Sequence, residues 1–159
     1  MSITAIFIFV IVAAGLALGW GLYLASKIMR LPAGEGKMIG IARAIQEGAK
    51  AYLIRQYKTV APIGLLLFLI LGFGLNFKIA FGFLVGAICS ALAGVIGMLI
   101  SVRANVRTTQ AAKTGLKEAM GVAVQGGTVT GLLVVGLGLL GVAGYYYFVR
   151  DLNALIGLG

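Results

Sequence analysis

The chain has 159 residues, of which 61% are hydrophobic and 11% charged, and its mean hydropathy is +1.09. Soluble domains are about half apolar and a quarter charged, so this composition indicates a membrane protein. There is no histidine and Cys89 is the single cysteine, which excludes imidazole metal sites, His-based triads and a disulfide framework. The net charge of +9 lies beside the apolar stretches, which favours a lipid partner over nucleic acid.

Four apolar stretches are long enough to cross a membrane, which takes about 20 residues. They predict helices over about 3–28, 59–77, 79–103 and 122–149, with loops over 30–58 and 104–120. Lipid admits only helices and closed barrels, and these stretches lack the alternation of barrel strands. We therefore predict an all-α polytopic membrane protein, a bundle of four transmembrane helices in one membrane domain, 1–159.

The basic residues indicate the orientation. Eleven of the 13 lie in or beside loops 30–58 and 104–120, and only Lys78 and Arg150 lie on the other side. Cytoplasmic loops are enriched in Lys and Arg, so we predict that both loops are cytoplasmic and that both chain ends are outside. The first residues, MSITAIF, contain no Lys or Arg, which argues against a cleaved secretory signal.

The first loop regains a helical pattern from Lys37. Apolar side chains recur there at three- and four-residue spacing, and charged ones take the other face, which predicts a cytoplasmic amphipathic helix lying at the surface or packed beneath the bundle. The apolar set is Met38, Ile41, Ile45, Ala49, Tyr52 and Leu53. Pro62 falls at the predicted start of the second membrane helix, where proline is tolerated. The second loop is also helical in pattern, so the third helix is expected to project beyond the membrane.

Small residues indicate where helices touch, because in lipid they let backbones approach closely. Four of them, Gly82, Gly86, Ser90 and Gly94, are spaced four apart and predict a groove along the third helix. Gly127 and Gly131 begin a similar face in the fourth. We therefore expect the third and fourth helices to pack tightly, and the Leu- and Phe-rich second helix to face lipid.

The sequence shows no set of residues whose types and spacing point to catalysis. Its four acids, Glu35, Glu47, Glu118 and Asp151, fall in predicted loops or at helix ends. No carboxylate lies within an apolar stretch, where ion-translocating proteins generally keep one, and none is paired to hold Mg²⁺. We predict no catalytic, cofactor-binding or metal-binding residue in this chain.

Several polar residues have two interpretations. The pair Arg103 and Arg107, and likewise Arg55 and Lys58, could grip a phosphate or could anchor the helices at lipid headgroups. Cys89 is expected to be a small packing residue. Three hydroxyl residues could bond between helices or back to their own carbonyls; these are Ser90, Thr128 and Thr130.

Three segments together resemble a known family. They are GAKAYLIRQYK over 48–58, CSALAGVIGMLISVRANVRTTQAA over 89–112, and VAVQGGTVTGLLVVGLGLLG over 122–141. In order and spacing they resemble the N-terminal quarter of the membrane-bound, ion-translocating inorganic pyrophosphatases. The RANVRT core, between a Gly/Ser helix and a helix containing GG, is the most specific part. Gln56 stands where that family often has glutamate.

The resemblance implies a function for a longer protein. Members of the family are homodimers with many more membrane helices, which hydrolyse Mg²⁺-pyrophosphate at the cytoplasmic side and export H⁺ or Na⁺. These four helices would belong to an outer ring, in a prokaryotic inner membrane, and would pack against the missing C-terminal helices. The family's Asp-rich motifs are expected on the next helix, so no catalytic residue carries over to this sequence, and Mg²⁺ would be bound outside it. Neither the pumped ion nor a K⁺ requirement can be assigned.

Two alternatives remain at this point. One is a stand-alone, non-catalytic four-helix membrane protein. The other is a rotor-ring proteolipid, which would need a carboxylate at mid-membrane that this sequence lacks.

Overall fold

The computed structural model describes residues 2–158, which form four long α-helices and a short 3₁₀ helix. The helices are α1 (Ile3–Met29), α2 (Lys37–Gly74), α3 (Phe77–Ala112), α4 (Leu116–Val149) and the C-terminal 3₁₀ helix (Asn153–Leu158). No β-strand occurs among these residues. Each α-helix contains a segment long and apolar enough to cross a membrane. The prediction of an all-α protein with four transmembrane helices is confirmed.

The ends of α1 and the start of α3 have clear local causes. The Ser2 hydroxyl accepts a 3.2 Å hydrogen bond from the Ala5 amide and so caps the start of α1. At its other end α1 stops at Met29, shortly before Pro32, which cannot continue a helical hydrogen-bond pattern. The Asn76 side chain accepts a 2.9 Å bond from the Lys78 amide and caps α3 after a tight turn. The turn at Asn76 joins two antiparallel helices that pack on each other, α2 and α3.

Helix α2 differs from the prediction, which separated a surface amphipathic helix from a membrane helix beginning at residue 59. The structure contains one continuous helix of 38 residues. At 1.5 Å per residue it is about 57 Å long, well beyond the roughly 30 Å of a hydrocarbon core. The assignment of Pro62 to a helix start is wrong, because Pro62 lies in the interior of α2. The predicted break before residue 59 does not occur, because no Gly or Pro pair lies between Lys37 and Pro62 to interrupt the helix.

The face that α2 turns to α3 coincides only in part with the predicted apolar stripe. Its buried residues in this half are Ala42 and Ala49, whereas Ile41 is 63% exposed and Tyr52 is 56% exposed. Small alanines allow the two helix backbones to approach, so they occupy the contact in place of the larger side chains. The predicted face thus contributes Ala49 to the contact, and Ile41 lines a small cavity shared with α3 despite its exposure.

Within the predicted bundle, the four helices are arranged as an open row. Helix α1 packs mainly on α4, α4 packs on α3, and α3 packs on α2. Within residues 2–158, α2 contacts no α-helix other than α3. The helices alternate in direction, so the start of α1 lies beside the end of α4, where Phe7 stacks on Tyr147 with ring centroids 5.1 Å apart.

The core lies where α1, α3 and α4 converge. The largest fully buried side chains are Ile28 in α1 and Val129 in α4. They belong to one apolar cluster with Leu24, Ala25, Ala104 and Leu133. Burial of such side chains provides dispersion contacts that hold helices together in lipid, where no hydrophobic driving force operates between them.

Glycines set the distance between α3 and α4, but only some of the predicted ones do so. A methyl group added at Gly97 would lie 2.9 Å from Cγ2 of Thr130, and one at Gly126 would lie 3.2 Å from Cβ of Ala104. The prediction for Gly127 and Gly131 is wrong. Both are exposed, and nothing would lie within 4 Å of an added methyl group.

In the half of the predicted α3 groove that contains Gly82 and Gly86, the closest contacts are not with α4. A methyl group at Gly86 would lie 2.6 Å from the Leu158 carbonyl oxygen, and one at Gly82 would lie 2.7 Å from that of Ala154. The C-terminal 3₁₀ helix therefore packs into this part of the groove. At Gly94, only the Tyr57 hydroxyl comes within 4 Å, at 3.6 Å.

Candidate functional site

Arg107 is the most connected polar side chain at the basic end of the molecule. Its guanidinium donates to the carbonyl oxygens of Leu31, Met29 and Arg103, at 3.1, 3.0 and 2.7 Å. The first two carbonyls lie at the C-terminal end of α1, where main-chain oxygens have no partner within the helix. A cation also interacts favourably with the negative end of the helix dipole. Arg107 in α3 therefore caps α1 across the chain.

Arg103 lies one turn below Arg107 and is half-buried. Its Nη1 donates to the Leu99 carbonyl at 2.9 Å, which is a bond within α3. This bond uses one of the five N–H donors of a guanidinium, so the other four have no hydrogen-bond partner among residues 2–158. The predicted arginine pair is thus divided: Arg107 is largely engaged with α1, and Arg103 remains largely available.

A third arginine reaches the same region from α2. A cavity of about 240 Å³ lies between α2, α3 and the α1–α2 turn. Its lining includes Arg43, Arg103 and Arg107, with the Gln46 side chain beside them. No carboxylate lines this cavity. We call these three arginines the arginine cleft; it is the strongest concentration of positive charge that the structure brings together.

No acid lines this cleft, although Glu118 lines a neighbouring cavity together with Arg107. In the described part of the chain no group of three or more Asp, Glu, Cys or His side chains is arranged to hold a metal ion. The one ion pair found there joins Lys78 and Asp151 at 4.0 Å, at the opposite end of the molecule. Nearby, the Tyr145 hydroxyl donates to the Lys78 carbonyl. These residues therefore do not fit a Mg²⁺ site.

The other polar residues that the sequence singled out lie outside the arginine cleft. Thr128 donates to the Val124 carbonyl of its own helix at 2.8 Å, which decides between its two interpretations. Thr130 contacts Gly97 across the α3–α4 interface. Cys89 lies beside Gly141 of α4, at 3.4 Å from an added methyl group, as expected of a packing residue. Arg55 and Lys58 are exposed on α2 and make no side-chain contact with the arginine cleft.

Sequence reasoning missed two features of this region. It did not identify Arg107 as the cap of α1, nor did it place Arg43 with the α3 arginines. A partial signal was present, because α1 ends shortly before Pro32 and the main-chain carbonyls at a helix end need partners from elsewhere. The partner lies 76 positions away from Leu31, and only the tertiary arrangement connects them.

A long, open groove also runs between α3 and α4. It has a volume of about 380 Å³ and is lined mainly by small and apolar residues, among them Ser90, Gly94 and Gly138. Ser90 is exposed there and makes no hydrogen bond to α4 in the described structure. The groove contains no charged side chain, so it offers a packing surface and no chemistry.

Long antiparallel apolar helices with the basic residues gathered at one end define the class: this is an integral, polytopic α-helical membrane protein. The family model for inorganic H⁺ pyrophosphatase matches residues 15–158. The chain belongs to this family, as the resemblance of its three segments indicated.

Curated relatives agree with the family. A K⁺-insensitive pyrophosphate-energized proton pump from Methanosarcina mazei is 47% identical over 155 residues, 96% of this chain and 23% of the relative. The corresponding pump 2 of Moorella thermoacetica is 43% identical over 88% of this chain and 21% of the relative. A putative K⁺-stimulated pyrophosphate-energized sodium pump from Bacteroides thetaiotaomicron is 38% identical over 91% and 20%. The chain thus spans about a fifth of the length of these relatives.

Proposed function

We propose that this chain provides the N-terminal membrane helices of a pump that hydrolyses inorganic pyrophosphate and exports H⁺ or Na⁺. The observation that carries the proposal is the family match over 15–158 by a chain that covers only 20–23% of its relatives. Relatives named as proton pumps and one named as a sodium pump both match, so the proposal includes either ion.

The role proposed for these helices is structural. Ion pumps need ionisable groups within the membrane, and the acids of this chain lie at helix ends or in the basic half of α2. The open row supports a framing role, because a row leaves broad helix faces for further helices. On α2, for example, Leu65, Ile70 and Phe73 are more than half exposed. Mg²⁺ would be bound by residues of the pump outside this chain.

Orientation and assembly belong to the same proposal. The antiparallel row brings the start of α1 and the end of α4 to one side, and 11 of the 13 basic residues lie toward the other. The positive-inside rule then makes the arginine end cytoplasmic and the two chain ends external. We extend the proposal to a homodimer in a prokaryotic inner membrane, as the family resemblance implies.

The decisive experiment begins with the complete reading frame around these 159 codons. The full product is expressed in a bacterium and inverted membrane vesicles are prepared. Hydrolysis of pyrophosphate and uptake of H⁺ and of Na⁺ are measured with and without Mg²⁺. The proposal predicts hydrolysis that requires Mg²⁺ together with pyrophosphate-dependent uptake of one of the two ions. Vector-only vesicles are the control.

Two results would contradict the proposal. One is a reading frame that adds no Asp-rich segment to these helices. The other is a full product that inserts in the membrane but hydrolyses no more pyrophosphate than the vector control. The former would favour a stand-alone membrane protein, whose purified form should be monodisperse in detergent.

A further inference from the structure

We propose that the arginine cleft, formed by Arg43, Arg103 and Arg107, binds the phosphate group of an anion. This inference goes beyond the proposed pump function and does not depend on it. The geometry that carries it is an open cavity of about 240 Å³ between two helices and a turn, lined by three arginines and no carboxylate. Phosphate is the ligand whose shape and charge such a set of forked donors matches.

None of the three arginines is paired with a carboxylate within the described chain, and Glu118 lines only the neighbouring cavity on the other side of Arg107. No salt bridge involves any of them in residues 2–158, where the one ion pair lies at the Lys78 end. Glu47 is the acid nearest in sequence to Arg43, and it does not line the cavity. Cationic groups held in one partly desolvated cavity repel each other, and a bound anion would relieve that repulsion.

The donors are oriented and only partly used. Arg103 donates once to Leu99, and Arg107 donates to three carbonyls. Each guanidinium has five N–H donors, so Arg103 keeps four and Arg107 keeps two. Arg43 makes no hydrogen bond within the described chain and is exposed, so it can close over a ligand from the α2 side. Hydrogen bonds therefore hold the two α3 arginines in place, whereas none in the described chain holds Arg43.

The position of the cleft relative to the membrane is compatible with two sources of phosphate, a lipid headgroup and a soluble anion. Counting about 20 residues of span from the α2–α3 turn places the hydrocarbon boundary near residue 97 of α3. Arg103 then lies about 9 Å beyond that boundary, at the level of lipid headgroups. Basic pockets between transmembrane helices at this level bind anionic headgroups. A soluble phosphate could enter the same cavity from the aqueous side.

The test uses the 159-residue chain in nanodiscs and two probes. In the lipid arm, discs of phosphatidylcholine are compared with discs that also contain phosphatidylglycerol, and retained lipid is counted by native mass spectrometry. In the aqueous arm, inorganic phosphate is titrated onto phosphatidylcholine discs and the midpoint of thermal unfolding is recorded. The variants are Arg43→Gln, Arg103→Gln and their double. The control is Lys50→Gln, which removes the same charge from an exposed position of α2.

We expect the double variant to lose at least tenfold in affinity for the probe that binds, and Lys50→Gln to change it less than twofold. Arg107 is left intact because it caps α1. Retention of phosphatidylglycerol by wild type and its loss in the double variant would identify a lipid site. A phosphate-dependent rise in unfolding midpoint, lost in the same variant, would identify a soluble ligand.

The proposal fails if neither probe distinguishes wild type from the double variant. It also fails if Lys50→Gln weakens binding as much as the double variant, since that would indicate general attraction to a basic surface. The single variant Arg43→Gln is expected to fold normally, because Arg43 is exposed and makes no internal hydrogen bond. Its effect on binding is therefore not confused with an effect on folding. If that single variant binds the responding probe as tightly as wild type, the proposed three-arginine site is also contradicted.

Discussion

The hydroxyl of Tyr57 in α2 donates a 3.2 Å hydrogen bond to the main-chain carbonyl of Ala91 in α3. It is the only side-chain hydrogen bond between these two helices within residues 2–158. It lies in an interface that contains small residues such as Ala49 and Gly94, and an edge-to-face pair of Phe68 and Phe81 with ring centroids 5.5 Å apart. Since α2 packs on no other α-helix of the described chain, this hydrogen bond is one of the contacts that attach α2 to the rest of the structure.

Replacing Tyr57 with phenylalanine should weaken the attachment of α2. The variant keeps the ring and loses the hydroxyl, so the expected loss is that of one interhelical hydrogen bond in a membrane, about 0.6 kcal/mol and at most about 2 kcal/mol. The measurement is the free energy of unfolding in mixed micelles. Tyr52→Phe is the matched control, because Tyr52 is exposed on the same helix. Equal losses in the two variants would show that the Ala91 contact contributes nothing.

Arg107→Lys should destabilise the chain although it conserves the charge. A lysine ammonium cannot place donors on Met29, Leu31 and Arg103 with the geometry of a guanidinium, so carbonyls at the end of α1 would lose partners. Each hydrogen bond to a charged group contributes about 1.5–3 kcal/mol, and we expect a loss of about 2 kcal/mol overall.

The unfolding free energy of Arg107→Lys is best compared with that of Arg55→Lys. Arg55 is exposed on α2 and its side chain makes no hydrogen bond in the described structure. Hydrogen exchange should also show faster opening of the last turn of α1, near Met29, in Arg107→Lys alone. Unchanged exchange there would contradict the capping role.

Two glycine-to-alanine variants should change stability in opposite directions. Gly97→Ala places its methyl group 2.9 Å from Cγ2 of Thr130, so α3 and α4 must separate or Thr130 must change rotamer. We expect a loss of about 1–3 kcal/mol, as is usual for overpacking. Gly131→Ala meets nothing within 4 Å and replaces a residue of low helix propensity, so it should gain up to about 1 kcal/mol.

The measurement is the midpoint of unfolding of each variant in the same detergent. A gain in Gly97→Ala would show that the α3–α4 spacing is not set by this glycine. A loss in Gly131→Ala would indicate that its exposed face is covered, for instance by another copy of the chain.

The number and type of helices could be predicted from sequence because lipid enforces both. Each apolar stretch near 20 residues must be a helix, and the structure has four such helices. The length of α2 could not be predicted in the same way. Its basic half and its apolar half differ in composition, yet nothing between them breaks the helix, and Pro62 is accommodated in its interior.

Packing partners were harder to predict than helices. The spacing of Gly127 and Gly131 resembles that of a packing face, but only Gly126 and Gly141 of α4 lie against α3. A helix crowded with glycines offers several such stripes, and sequence periodicity cannot choose among them. The same limit applied to Arg43, since its grouping with Arg103 depends on the rotation of α2 about its own axis.

The orientation of the row can be tested with single cysteines. In a Cys89→Ala background, Thr4→Cys places a thiol at the exposed start of α1, and Lys113→Cys places one at the exposed end of α3. The charge distribution predicts that Thr4 faces outward and Lys113 inward. A membrane-impermeant maleimide added to intact cells should therefore label the first variant and spare the second. Permeabilised cells should label both, which controls for reactivity. The reverse pattern in intact cells would invert the proposed topology and place the arginine cleft outside the cytoplasm.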